Sequence, residues 1–387
     1  MKTVLLVSKF NWDAPAEIPY VFAKAGYAVD VFCPADSWLS NNSFFKNHVT
    51  CSIDNHEFLT ELAALVRRNK YDWILLTEDP LIDLVKREIK EEDLLEQLLP
   101  VKNNEARDIL SSKIGFSSYF QSIGIDTPAY VGFQPGVNDF NELDSLQFPV
   151  LNKYDLSWGG SDMAISHNLK ELQNTVKNLP KNAKLIIQEF IQGDDIRVDA
   201  LFYNGRLLNY FCAEVLSHTK DQFSYTTRRS YFAYPELTEL LTLIGQKIVA
   251  HGFANISFIK DRKTGIHYLI EIDVRPNTWI AYSNFLSIYN FVYCIEHLHE
   301  PEALGFIKST LKNNKAIEIA LFYKDIRRAI WAKDLKGILR WIVGWKGYWR
   351  FLPFYDFKLT KKILFEIWVE VGVFKLKKLK QKIGFSA

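Results

Sequence analysis

The sequence predicts a mixed α/β and α+β protein in three parts. These are a parallel α/β domain over residues 1–100, an α+β region of two subdomains over 101–315, and a basic, Trp-rich helical extension over 316–387. Three observations carry this reading. The chain opens as apolar run, helical pattern, apolar run; two hairpins with Gly or Asp turns lie between helices in the middle; and the last residues join helical periodicity to an excess of Lys, Arg and Trp.

In the first part, Val4 to Val7 is a continuous apolar run, Ile18 to Ala25 has helical spacing before Gly26, and Val29 to Phe32 is a second apolar run. Unbroken apolar strands around a helix read as a βαβ unit with both sheet faces covered. Glu57 to Arg68 repeats the helical pattern and Trp73 to Leu76 the strand. No GxGxxG turn follows the first strand, so a dinucleotide site there is unsupported. In the second part, Asn103 to Phe120 reads as helix, closed by Gly124 and Pro128. Phe148 to Asn152, Leu185 to Phe190 and Val198 to Tyr203 read as strands, with Asn204-Gly205 a hairpin turn. Ile256 to Lys260 and His267 to Asp273 pair about a turn at Asp261 to Gly265.

Composition excludes some functions. With 47 Lys/Arg against 45 Asp/Glu, the formal charge is +2, too small for a strongly basic nucleic-acid binder. The average hides an asymmetry. Residues 324–387 hold 16 Lys/Arg and 5 Asp/Glu, or +11, which leaves 2 − 11 = −9 for residues 1–323. Cys33, Cys51, Cys212 and Cys294 show no CxxC spacing and read as isolated reduced thiols, which points to a cytoplasmic protein. The opening MKTVLLVSKFNW is a first strand and not a signal peptide, and no uncharged apolar stretch reaches the length of a spanning helix. His297 and His299, in EHLHE, read as exposed imidazoles on a helix and not as a metal pair.

Three segments carry chemistry. In NISFIKDRKTGIHYLIEIDVRPN, Glu271 and Asp273 are two apart on a strand and share a face. Side-by-side carboxylates repel unless a cation sits between them, and Mg²⁺ takes such oxygens together with water and phosphate. Arg275 extends the row and suits an anion; the alternative is a solvated face of alternating charge. In FPVLNKYDLSWGGSDMAIS, Lys153 ends a strand and Gly159-Gly160 follow in a turn, an arrangement suited to phosphate or simply a Gly-Gly hairpin. In LIIQEFIQGDDIRV, a strand runs through Glu189, Phe190 and Ile191 into a Gly turn, forming either a wall for a planar base or an ordinary strand end.

In this order and spacing the segments resemble the ATP-grasp superfamily, which includes carboxylate–amine ligases and the large-subunit domains of carbamoyl phosphate synthase. The resemblance covers about residues 100–300 and implies a pre-ATP-grasp domain before them. It implies that Lys113, ahead of Gly124-Ile125-Asp126-Thr127-Pro128, and Lys153 with Gly159 and Gly160 hold ATP phosphates. Glu189, Phe190 and Ile191 become the adenine hinge, with the Phe190 and Ile191 backbones reading the base edge, and Asp195 the ribose acid. The family's E-x-N-x-R metal motif becomes Glu271, Asp273 and Arg275, with Asp in place of Asn, holding Mg²⁺ or Mn²⁺. One position departs: Ser257 stands where the family puts an acid or Gln as a further metal ligand. The implied activity is an ATP- and Mg²⁺-dependent ligase that activates a carboxylate as an acyl phosphate for attack by an amine. Arg228 and Arg229 read either as a clamp for the substrate carboxylate or as an exposed basic turn. Two other classes compete: a nucleotide-sugar glycosyltransferase, from the VLLVS and AGYAVDVF opening, and an inert ATP-binding protein, from Ser257.

In the tail, Ile326 to Leu339 reads as an amphipathic helix, and Trp, Tyr and Phe alternate with Lys and Arg beyond it. That mixture suits an anionic membrane surface, or else packing on the same chain or a subunit partner. Nucleic acid is not expected, and an oligomer is left open.

Overall fold

The computed structural model describes residues 2–157, 163–299 and 315–382. The first part contains β1 (Thr3–Val7), α1 (Ile18–Lys24), β2 (Ala28–Cys33), β3 (Asn47–Thr50), α2 (Asn55–Arg68), β4 (Trp73–Leu76), α3 (Asp79–Glu88) and α4 (Glu92–Leu98). Its sheet is parallel, in the order β3-β2-β1-β4. Strand alternation splits β1 between two cores. Leu5 and Val7 pack with Phe58, Leu62 and Leu81 of α2 and α3, while Val4 and Leu6 join a core that continues into the largest sheet.

The second part begins with α5 (Lys113–Ser122), β5 (Tyr130–Phe133), β6 (Val150–Tyr154), β7 (Ala164–Ser166), α6 (Leu169–Lys177) and β8 (Leu185–Glu189). β5 to β8 form an antiparallel sheet in the order β5-β8-β6-β7, with Leu172 and Val176 of α6 in its core. The stretch read as one helix from Asn103 is broken: a 3-10 turn at Asn104–Leu110 precedes α5, because Ser112 caps α5 by accepting the Gly115 N–H at 2.8 Å.

The remainder holds β9 (Gly193–Tyr203), β10 (Arg206–His218), β11 (Thr226–Phe232), α7 (Thr238–Ile248), β12 (Gly252–Asp261), β13 (His267–Asp273), α8 (Phe291–Glu296), β14 (Ile317–Ala320), α9 (Phe322–Trp331), α10 (Leu335–Ile342) and α11 (Phe357–Lys382). Its six strands run β13-β12-β9-β10-β11-β14, all neighbours antiparallel. The even residues Ile196, Val198, Ala200 and Phe202 of β9 pack with α5 and α7, so Asp195, Arg197 and Asp199 take the other face. On β13 a register shift does the sorting. Ser257 pairs with Glu271 and Phe258 with Leu269, so Ile270 is an extra residue. This bulge sends Leu269 and Ile272 to the core while Glu271 and Asp273 line a cleft.

The tail is not an appendage. It starts with a strand, β14, which caps the sheet edge by pairing with β11. The helix expected over Ile326 to Leu339 is two helices separated at Lys333, whose φ is +54°. Trp341, Tyr348 and Phe351 enter the core shared by the parallel sheet and the largest sheet. α11 sets Leu359 and Ile363 against Ala16 and Trp38 of the first part.

Candidate functional site

A cleft of about 900 Å³ lies where the face of β6 and β8 meets the face of β9, β12 and β13. On β6 and β8 the residues Leu151, Lys153, Ile186 and Gln188 turn into it, opposite in parity to the core residues Val150, Leu185 and Ile187. Lys153 is buried, and its Nζ donates to Gln188 Oε1 at 3.2 Å. Burial pulls its ammonium down to about 8, against the pull of Glu271. Lys113 opens α5, and its Nζ donates to the Ser157 carbonyl at 2.7 Å and Ser157 Oγ at 3.1 Å. Burial lowers its pKa too, with Glu271 and Asp155 opposing.

Asp155, not anticipated, joins the two lysine-bearing elements. Its Oδ1 accepts from Ser112 Oγ at 2.8 Å and from the Ile114 N–H at 2.9 Å, which fixes the start of α5 to the end of β6. At the rim, Glu189 Oε1 accepts the Gln147 N–H at 2.7 Å. The Phe190 N–H donates to the Pro149 carbonyl at 3.0 Å, so of the Phe190 backbone groups it is the carbonyl that is left for a base edge. The Ile191 N–H donates to no described protein group. Gly159 and Gly160 lie outside the described residues.

Facing the lysines is a ladder of charge. Asp195 Oδ2 accepts from Arg197 Nη2 at 2.8 Å, while Asp195 Oδ1 has no partner among the described residues. Arg197 Nη1 donates to Ser257 Oγ at 2.5 Å. Arg197, Ser257 and Glu271 are register partners across β9, β12 and β13, so the guanidinium sits beside the carboxylate strand. Asp273 is pushed above the usual carboxylate range by burial, which Arg275 opposes and Glu271 adds to. Arg275 bridges to the first part of the chain: Nε donates to Asp79 Oδ1 at 2.6 Å, Nη2 to Asp273 Oδ2 at 3.2 Å, and the guanidinium lies 5.3 Å from the Trp12 ring centroid.

The arginine pair separates. Arg229 is buried, donates to Asp199 at 3.0 and 3.2 Å and lies 4.4 Å from the Trp279 ring centroid. Its fork is filled further by Asn255, and Asp199 also accepts from Tyr231 and Asn277. Arg228 does not line the cleft; it meets Glu318 at 3.5 Å and Asp325 at 3.8 Å. Adjacent strand residues point to opposite faces, so the expected two-arginine clamp is corrected to one cleft arginine.

The donor set fits one hard cation. Glu271 is exposed to the cleft and Asp273 stands two residues on along the same strand face, so two carboxylates lie side by side there. Ser257 is neutral and engaged by Arg197, so it adds no carboxylate for a second ion. Among the described residues no group of three His, Cys, Asp or Glu forms a metal cage. His297 instead stacks on Tyr293 at 4.0 Å. Sequence reading missed Arg197, Asp155 and Asp79, and placed Gln188 only in the wall of a base pocket and not as the partner of Lys153. The alternation of Asp195, Arg197 and Asp199 was a usable signal for the first of these.

No protein-family profile matches the chain. Carbamoyl-phosphate synthase of Methanobrevibacter smithii is 29% identical over 130 residues, 33% of this chain and 34% of that protein. The carbamoyl phosphate synthase large chain of Clostridium botulinum (strain Loch Maree / Type A3) is 27% identical over 205 residues, 50% of this chain and 19% of that protein. The matched region is thus well under half the length of either relative. Among solved structures, N5-carboxyaminoimidazole synthetase from Staphylococcus aureus complexed with ADP superposes with a TM-score of 0.61 at 16% identity, over 82% of each chain. That likeness is one of fold. By its parallel first sheet, its two antiparallel sheets and its sequence matches taken together, the chain is a member of the ATP-grasp superfamily.

Proposed function

We propose that this protein is an ATP-dependent carbon–nitrogen ligase that phosphorylates a small carboxylate and transfers the acyl group to an amine. The observation that supports it most is the convergence of Lys113 and Lys153 from one side of a cleft on Glu271 and Asp273 from the other. A carboxylate is a poor acyl donor because oxide must leave. Transfer of the ATP γ-phosphoryl forms a carboxylate O–P bond and breaks the bond to ADP. The amine nitrogen then attacks the acyl carbon, phosphate leaves, and the extra amine proton passes to solvent.

Alignment and charge neutralisation are the protein's work. Lys113 and Lys153, held by Ser157 and Gln188, bind phosphate oxygens. The unpartnered Asp195 Oδ1 accepts a ribose hydroxyl, and the Ile191 N–H reads the base edge. A Mg²⁺ or Mn²⁺ ion held by Glu271 and Asp273 supplies, when bound, neutralisation of phosphate charge. Arg197 adds a fixed cation where the family places another acidic or Gln ligand, so this chain compensates Ser257 with a guanidinium. Arg275, tied to Asp79, steadies the transferring group, and Arg229, itself held by Asp199 and Trp279, supplies the positive charge that orients the carboxylate substrate.

Ser257 also favours a second reading, nucleotide binding without turnover. The glycosyltransferase alternative lacks support, since the parallel sheet is followed by antiparallel ones. Incubation with ATP and pooled carboxylates and amines, read by mass spectrometry, separates these. A ligase gives ADP, phosphate and a condensed product, and Glu271→Gln reduces this at least about 100-fold without a change in melting temperature. Unchanged ADP release from that variant would remove the metal-site assignment.

A further inference from the structure

Of the 22 large apolar side chains exposed among the described residues, 13 fall between Trp331 and Trp368. The densest part is α10 and the turn after it. Leu335, Leu339 and Ile342, at spacings of four and three, form one stripe and are 70%, 55% and 63% exposed. The other side of α10 is already filled. Trp341 packs against Phe322 and Tyr348 at 5.0 and 4.9 Å and donates its indole N–H to Asp325 at 2.9 Å. The apolar stripe of this helix therefore faces away from the core. Val343, Trp345 and Trp349 extend it, and Trp349 is fixed by its indole N–H donating to the Trp341 carbonyl at 2.7 Å.

The charge around the stripe is one-sided. Residues 331–368 contain eight Lys/Arg and three Asp/Glu. The three acids are used internally: Asp334 by Arg328, Asp356 by Ser43 and Leu359, and Glu366 by Lys362. Lys336, Arg340 and Lys346 form no ion pair with any described residue. A second copy docking through the same face would oppose two positive surfaces. An anionic lipid surface offers both an apolar layer for the stripe and counter-charge for its flanks, with Trp345 and Trp349 suited to the headgroup level. No described helix is long and apolar enough to cross a membrane, so the contact is parallel to the surface.

We propose that the α10 face, with Trp345 and Trp349, docks this protein on anionic membranes and brings the cleft to substrates made or used there. The test is flotation of the full chain with vesicles of phosphatidylcholine alone or mixed with phosphatidylglycerol. Two variants accompany it: Leu339→Glu/Ile342→Glu and Lys336→Glu/Arg340→Glu. Wild type is expected to float with the mixed vesicles only, and less so in high salt. Each variant is expected to lose about tenfold or more in partitioning while retaining ATP binding and melting temperature. Absent or lipid-independent flotation, or equal flotation of wild type and variants, would overturn the proposal. So would a salt-resistant dimer in sedimentation velocity that Leu339→Glu/Ile342→Glu dissolves, since the occupant would then be a second copy. ATP binding and turnover are read separately, so failure here leaves the ligase reading standing.

Discussion

In the cleft, Arg197, Arg229 and Arg275 each meet a carboxylate at 3.2 Å or less, whereas on α10 Lys336 and Arg340 meet none among the described residues. Aromatic rings differ in the same way. Trp279 and Trp12 lie against cleft guanidiniums, while Trp345 is 53% and Trp349 54% exposed. The contrast teaches what each cation is for. A cleft cation held by neighbouring carboxylates has lost its rotamer freedom before a ligand arrives, which favours one geometry over others. An unpaired cation on a surface helix retains that freedom and suits a diffuse anionic partner.

Perturbing each region should therefore move a different observable. The largest effect is expected inside the tail: Trp341→Ala should cost about 3–5 kcal/mol in chemical denaturation, because a buried ring and its bond to Asp325 are lost. A neutral result would show that α10 is docked loosely and that the division between inner and outer faces is wrong. In the cleft, Lys153→Met should weaken ATP binding by about 100-fold in calorimetry while leaving stability unchanged or raised, because a buried ammonium is removed. The smallest and most graded effect is with pH. With its pKa lowered to about 8, the Lys153 ammonium is lost as pH rises through that value, so ATP affinity should fall between pH 7 and 9. The Lys153→Met variant should show a flatter profile; an identical slope would assign the pH dependence elsewhere.

The two regions were also unequally legible. Glu271 and Asp273 could be placed on one face because strand alternation is local, and β13 spans the very residues expected, His267 to Asp273. The Ile270 bulge was not readable, since it exists only in the pairing with β12. Alternation already put Arg197 on the face of Asp195 and Asp199, but its tie to Ser257, sixty residues away in sequence, exists only in the pairing of β9 with β12. Arg228 and Arg229 were read as a unit although alternation along a single strand already argues that they diverge. The amphipathic character of the tail was plain, but its direction depended on where Trp341 found a pocket, among Phe322, Tyr348 and Asp325. β3, four residues with partly exposed side chains, carried too little apolar pattern to be seen.

The position of β14 has a consequence for biosynthesis. Until residues 317–320 have left the ribosome, β11 is a bare sheet edge, and that edge carries Arg229, which anchors Asp199. The outer edge of the largest sheet waits for a strand made after the cleft residues of β6, β8, β9, β12 and β13, with Lys324 of the cleft lining following it. Nascent chains arrested before residue 317 should remain sensitive to protease within 226–232, and chains extended past β14 should become protected. Protection before β14 emerges would show that β11 folds without its outer neighbour.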